Sequence, residues 1–189
     1  MANLKWPLIG IAVLLGIYAL LQMRDSGYAT PTGKVFPEKT ENIAKVEMTM
    51  AGETLTLLKK DQVWTIVGHD TLQIRDNRIA ALFDQALTVG RETVMTKKAD
   101  NWPKYSVDNL AGIHVKIYDA SEGLITYAVF GKSSTDWARN YVRIGEAPEV
   151  YLTDASIAYQ VSTDPTFWGE KPPPPEPEPA ATDSTAAVQ

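Results

Sequence analysis

From Trp6 to Met23 the chain runs for eighteen residues without a charge, bracketed by Lys5 and Arg24. As a helix rising about 1.5 Å per residue, this run reaches roughly 27 Å, close to the hydrocarbon thickness of a bilayer. Pro7 falls where a helix begins and needs no N–H, and Trp6 and Tyr18 are amphipathic rings of the kind found near headgroups. The segment is therefore expected to be a transmembrane helix. Lys5 and the free amine stand on one side without an acid, whereas Arg24 on the other is offset at once by Asp25. Positive-inside bias then leaves the N-terminus in the cytoplasm and everything beyond residue 24 outside. A cleaved signal peptide competes with this reading, because Leu8 to Leu21 can serve as its apolar core and Gly27-Tyr28-Ala29 puts small residues at the −3 and −1 positions of a cut. Arg24 interrupts that approach, which favours the uncleaved anchor, and either reading exports the remainder. Ala12 and Gly16 form a small-xxx-small pair through which a second membrane helix could approach, although small residues facing lipid explain it more simply.

Composition divides the rest. The chain holds no Cys, which excludes a disulfide framework, a thiolate zinc site and a lipid-modified Cys. Residues 38–171 carry 15 basic and 19 acidic side chains, and a mildly acidic folded part argues against nucleic-acid binding. The boundaries that follow are a cytoplasmic tip and anchor over 1–24, a stalk over 25–40, an extracytoplasmic domain over 41–171 and a tail over 172–189. The tail opens with four prolines and carries three acids and no base, so it is a stiff acidic spacer rather than core.

Within the domain, Ala44, Val46, Met48 and Met50 alternate with polar residues, and after a turn at Ala51-Gly52-Glu53 the period resumes at Leu55 and Leu57. Val63, Trp64 and Ile66 add a third strand. Ile79, Leu82, Phe83, Ala86 and Leu87 then form one apolar stripe at helical spacing, with Asp76 placed to cap it and Gly90 to end it. Arg91 to Thr96 predicts a strand, and Trp102, Tyr105 and Val107 predict a folded-back connection whose aromatics fill a gap. Ile113 to Ile117 and Leu124 to Phe130 form a second hairpin, Asn140 to Ile144 and Glu149 to Thr153 a further strand pair, and Asp154 is placed to cap a short helix carrying Ile157 and Val161. The expected class is α+β, with antiparallel hairpins packed against one long and one short helix. Aligning Val46 on Val115 matches four residues over twelve, which raises two similar lobes as an arrangement, although shared strand composition produces such matches unaided.

No pattern of catalytic residues emerges. His69 and His114 lie 45 residues apart with no partner at metal-ligand spacing, so no metal site and no cofactor are expected, and each reads as a surface imidazole. Gly131-Lys132-Ser133 looks like the end of a phosphate loop, but the first Gly of that pattern falls on Thr126 inside a strand. Nucleotide binding is rejected on that ground. Carboxylates are scattered over turns, which argues against an enzyme, although a site assembled by folding escapes this test. One surface stands out: Trp137, Arg139, Tyr141 and Arg143 share a face if extension begins by residue 137, and aromatic and Arg side chains are frequent interface anchors. Burial of the two rings, with the arginines paired to acids, is the competing account.

Further features carry a resemblance. The strand Asp61-Gln62-Val63-Trp64-Thr65-Ile66, the Arg75 to Val89 helix, the Tyr105-Ser106-Val107-Asp108 corner before Val115-Lys116-Ile117, the pair Asn140-Tyr141-Val142-Arg143 and Glu149-Val150-Tyr151-Leu152, and Phe167-Trp168-Gly169-Glu170-Lys171 together resemble a family of bacterial membrane-anchored proteins. That family carries a domain of unknown function and is often encoded beside gliding-motility-type ABC transporter components. The resemblance spans roughly residues 43–171 and implies a non-catalytic accessory domain at the inner membrane, with a protein partner in a membrane complex. A module binding envelope glycans or peptides is the alternative, and a hydrolase with a fold-assembled carboxylate site is a third.

Overall fold

In the computed structural model the described residues are 14–18, 33–37, 41–133 and 136–172. Nine strands form one antiparallel sheet: β1 (Gly33–Lys34), β2 (Ile43–Met50), β3 (Glu53–Lys60), β4 (Val63–Ile66), β6 (Gly90–Thr96), β7 (Ile113–Asp119), β8 (Leu124–Lys132), β9 (Asn140–Ile144) and β10 (Val150–Thr153). Their order is β1-β6-β10-β9-β8-β7-β2-β3-β4, and β5 (Gln73–Ile74) pairs separately with β11 (Gly169–Glu170). The turn after β2 places Ala51 and Gly52 at φ 52 and 85, with Met50 facing Glu53. Two consecutive left-handed residues match the twist of the flanking strands, which is why a Gly serves there.

The expected α+β class is corrected by this arrangement. Strand outweighs helix by 41% to 19% of the described residues, and the strand pairings among them are antiparallel, so the domain is a mostly antiparallel β protein. The two hairpins are not separate lobes, because β2 pairs with β3 on one side and with β7 on the other, Val46 facing both Leu57 and Ile117. An unpaired β2 edge would leave a row of backbone polar groups open; docking the second hairpin there closes it. The long helix is also shorter than its stripe implied. Helix α1 covers Asp76–Ala81 with no side-chain cap and passes into a single π turn over Leu82–Ala86, where Leu87 N donates to Leu82 O at 2.9 Å. The short helix after Asp154 does not form. Asp154 instead accepts a hydrogen bond from Gly90 N at 2.8 Å, and the later helix α2 (Pro165–Trp168) is capped by Asp164, which accepts from Thr166 N at 2.8 Å.

The expected transmembrane helix is likewise not supported: no helix among the described residues is long and apolar enough to cross a membrane. Residues 14–18 are helical, and the rest of the 6–23 run, Ala12 included, lies outside the described residues. Among the described residues nothing comes within 4 Å of a Cβ built on Gly16. Residues 33–36, expected in the stalk, belong to the fold. Gly33 and Lys34 pair with β6, Val35 and Phe36 are buried, and Phe36 stacks on Phe130 with centroids 5.9 Å apart.

Alternation along the strands puts apolar surface on both faces. Val46, Met48, Val115, Ile117, Ala128, Phe130 and Val142 lie in the main core with Leu82, Leu87, Ile157 and Trp168. Val129 and Val150, one residue out of phase, lie in a second core with Tyr105 and Val107. That second face is covered by the connection through the 3-10 turns Ala99–Asn101 and Pro103–Tyr105. The approach is close enough that a Cβ on Gly131 would overlap the carbonyl oxygen of Tyr105. The glycine that looked like part of a phosphate loop is thus a packing glycine. Gly131→Ala is expected to lower stability by at least about 2 kcal/mol, measured as a shift in the urea midpoint, because backbone rather than a flexible side chain must give way.

Candidate functional site

Strand β9 begins at Asn140 and residues 137–138 form a turn, so Trp137, Arg139, Tyr141 and Arg143 do not share one face. Tyr141 and Arg143 point into the second core. Tyr141 meets Tyr105 edge-on with centroids 4.9 Å apart. Arg143 is 0% exposed, yet its guanidinium is satisfied: Nε donates to Val107 O at 2.6 Å, Nη1 to Gly145 O and Nη2 to Asn109 Oδ1 at 2.8 Å. Its Cζ lies 4.1 Å from the Trp102 ring centroid, and Glu146 Oε1 stands 3.5 Å from Nη1. A buried cation needs an acceptor at each nitrogen, because a nitrogen without one would be left desolvated. Arg139 is held at the surface between Glu92 Oε2 and Asp136 Oδ2, each at 3.1 Å. Trp137 alone of the four is free, 79% exposed.

Trp137 is not isolated. It lines a cleft of about 430 Å³ together with Tyr159, Lys132, Arg139, Asn140 and Ser156 among others, and Tyr159 is itself 69% exposed. Asn140 makes the floor rigid. Its Nδ2 donates to Gly131 O at 3.1 Å, its Oδ1 accepts from Ile157 N at 2.8 Å and Ser156 Oγ at 3.0 Å, and its backbone N donates to Thr153 Oγ1 at 2.8 Å. One buried amide thereby ties β8, β9, β10 and the segment carrying Tyr159. No sequence signal pointed to Tyr159, which lies in the stretch expected as a short helix.

The histidines separate in character. His69 sits in a loop after β4, its backbone N donating to Ile66 O at 3.1 Å. His114, expected at the surface, is partly buried beside Arg143: its Nδ1 and Tyr127 Oη share a 2.7 Å hydrogen bond, its ring stacks on Tyr127, and its Nε2 is buried. Burial first, then the Arg143 charge, holds its pKa below the usual 6.5. Asp108 nearby is held below the ordinary carboxylate value by Leu110 N and Ala111 N, which donate to it at 2.8 and 3.0 Å. Carboxylates do gather in a second cleft of about 780 Å³, lined in part by Glu41, Asp61 and Asp119 with Lys59. There Asp119 Oδ1 is committed to its turn, accepting from Ser121 N and Gly123 N at 2.8 and 2.9 Å. Among the described residues no group of three His, Cys, Asp or Glu can hold a metal ion.

Two predictions follow from these contacts. Arg143→Ala is expected to cost about 3 kcal/mol or more, with Arg143→Lys failing to restore it because one ammonium cannot serve three separated acceptors, whereas Trp137→Ala changes stability by no more than about 0.5 kcal/mol; urea unfolding measures both. For pH, the folded state prefers neutral His114 while the unfolded chain takes up a proton near 6.5. Its contribution is therefore present above that value and is lost as pH falls below it. The urea midpoint is expected to drop between about pH 7 and pH 5, and His114→Gln to flatten that slope; an unchanged slope contradicts the assignment.

Neither curated proteins nor solved structures yield a match to this chain. A family model does, matching residues 64–178, from β4 through β11 and beyond, which is more than half of the chain. The chain therefore belongs to the DUF4340 family, a domain of unknown function.

Proposed function

We propose that this chain is a non-catalytic accessory domain of a bacterial membrane complex, of the ABC-transporter type, held at the outer face of the inner membrane with its N-terminus in the cytoplasm. The observation that carries the reading is where the reactive types of side chain are spent. Arg143 fastens the covering connection to the second face of the sheet, His114 is bonded to Tyr127 on the neighbouring strand, Asp108 to its own turn and Asn140 to the strand ends and the segment after them, whereas the strongly exposed aromatics Trp137 and Tyr159 line one cleft. Polar groups in that state support architecture, and a surface of that kind supports binding.

Support for the location comes from the sequence: an uncharged run of eighteen residues between Lys5 and Arg24, with the charge asymmetry of its flanks. Support for the transporter comes from the resemblance to proteins encoded beside such components, and is of the fold-analogy kind. Cross-linking intact membranes, followed by purification of the tagged full chain, tests the reading. Transporter subunits recovered in constant proportion are the expected result. Recovery of the chain alone, or protection of its β domain from protease added to cells stripped of their outer envelope, overturns it.

A further inference from the structure

We propose that the Trp137–Tyr159 cleft is a binding site for a neutral oligosaccharide, taken up by stacking of a pyranose ring. The inference rests on the cleft's geometry and is independent of the transporter reading. Exposed aromatic rings of this size are costly to leave in water without a use, and two of them line one cavity. Neither ring stacks on any other ring among the described residues, so their faces stay open to a ligand. A volume of about 430 Å³ falls within the range of small-molecule sites, roughly 300–1,000 Å³.

Charge selects the ligand class. Two cations stand at the rim, but Arg139 arrives already neutralised by Glu92 and Asp136, which leaves Lys132 alone among the described lining residues to meet an anion. A phosphate or a polyacidic segment asks for several uncompensated cations, so the site suits a ligand that carries hydrogen-bonding groups without net charge. A pyranose meets both halves of that description. Its C–H face is apolar and flat enough to lie on an indole or phenol ring, and its hydroxyl edges both donate and accept. Acceptor and donor groups are in place: the Ser156 hydroxyl, which donates to Asn140 Oδ1 and accepts a long 3.4 Å hydrogen bond from Ala158 N, leaving its second lone pair, the Tyr159 hydroxyl and the Lys132 ammonium. Because Asn140 fixes the floor through four hydrogen bonds, Ser156 and the backbone that carries Tyr159 are held in position before any ligand arrives, which lowers the entropy lost on binding.

The test uses the purified full chain in a detergent without a sugar headgroup, titrated calorimetrically with cellotetraose, chitotetraose and maltotetraose. At least one is expected to bind with Kd at or below about 1 mM, with Trp137→Ala and Tyr159→Ala each weakening it about tenfold, and Trp137→Phe retaining most of the affinity. Unchanged thermal unfolding of the alanine variants separates loss of stacking from loss of fold. No heat from any of the three at about 10 mM overturns the proposal, as does binding that both alanine variants leave intact. A synthetic peptide of residues 172–189 is titrated in parallel. If that peptide binds in a Trp137-dependent way and the saccharides do not, the cleft is a dock for the chain's own tail and the saccharide assignment falls. Recovery of transporter subunits in the cross-linking experiment stands or fails separately from all of these outcomes.

Discussion

Removing a guanidinium from water is tolerable only when its nitrogens find acceptors, and Arg143 meets that condition with Nε on the Val107 carbonyl, Nη1 on the Gly145 carbonyl and Nη2 on the Asn109 side chain, its Cζ lying over the ring of Trp102. Three of those partners belong to the connection that covers the second face, so the charge acts as the fastener between sheet and cover. Without that cover, Val129 and Val150 would face water. The same demand shapes the neighbourhood: His114 must stay neutral beside a fixed positive charge, and Gly131 must lack a side chain so that the connection can come close enough to be fastened.

The fastening also determines which surface is left for other molecules. Tyr141 and Arg143 are drawn inward because strand alternation sends them to the face that the connection seals. Trp137 and Arg139 precede β9, where the backbone turns, and so they escape. The cleft forms where the sealed face ends, and its second aromatic comes from a segment more than twenty residues away that Asn140 anchors to the same strand ends.

Hairpins were legible from the two-residue period, as at Val46 and Met48 or Val115 and Ile117, because one face of each strand is continuously buried. The apolar stripe after Asp76 was legible in part: Leu82, Ala86 and Leu87 are buried, but they lie in the π turn and at its end rather than in α1, which buries no residue fully. Its extent was not, because periodicity cannot distinguish an α helix from one that closes early with a π turn. Asp154 misled for a related reason. An Asp before an apolar run accepts an N–H in either case, and whether that N–H belongs to its own helix or to Gly90 across the sheet depends on strands that the local sequence does not describe. Of the expected surface, Trp137 and Arg139 line the cleft, whereas Tyr141 and Arg143 turn inward; Tyr159 carried no mark of its own.

What the sequence by itself determined is the alternation that makes strands, the turns that join neighbours, the uncharged N-terminal run and the absence of any metal- or phosphate-binding spacing, since each of these is a property of adjacent residues. Tertiary structure decided that the two hairpins share β2 as a common neighbour, that Arg143 is buried rather than offered to a partner, and that Trp137 and Tyr159 line one cleft. Those outcomes depend on contacts between residues far apart in the chain, and no local spacing records which distant carbonyl will meet a given guanidinium.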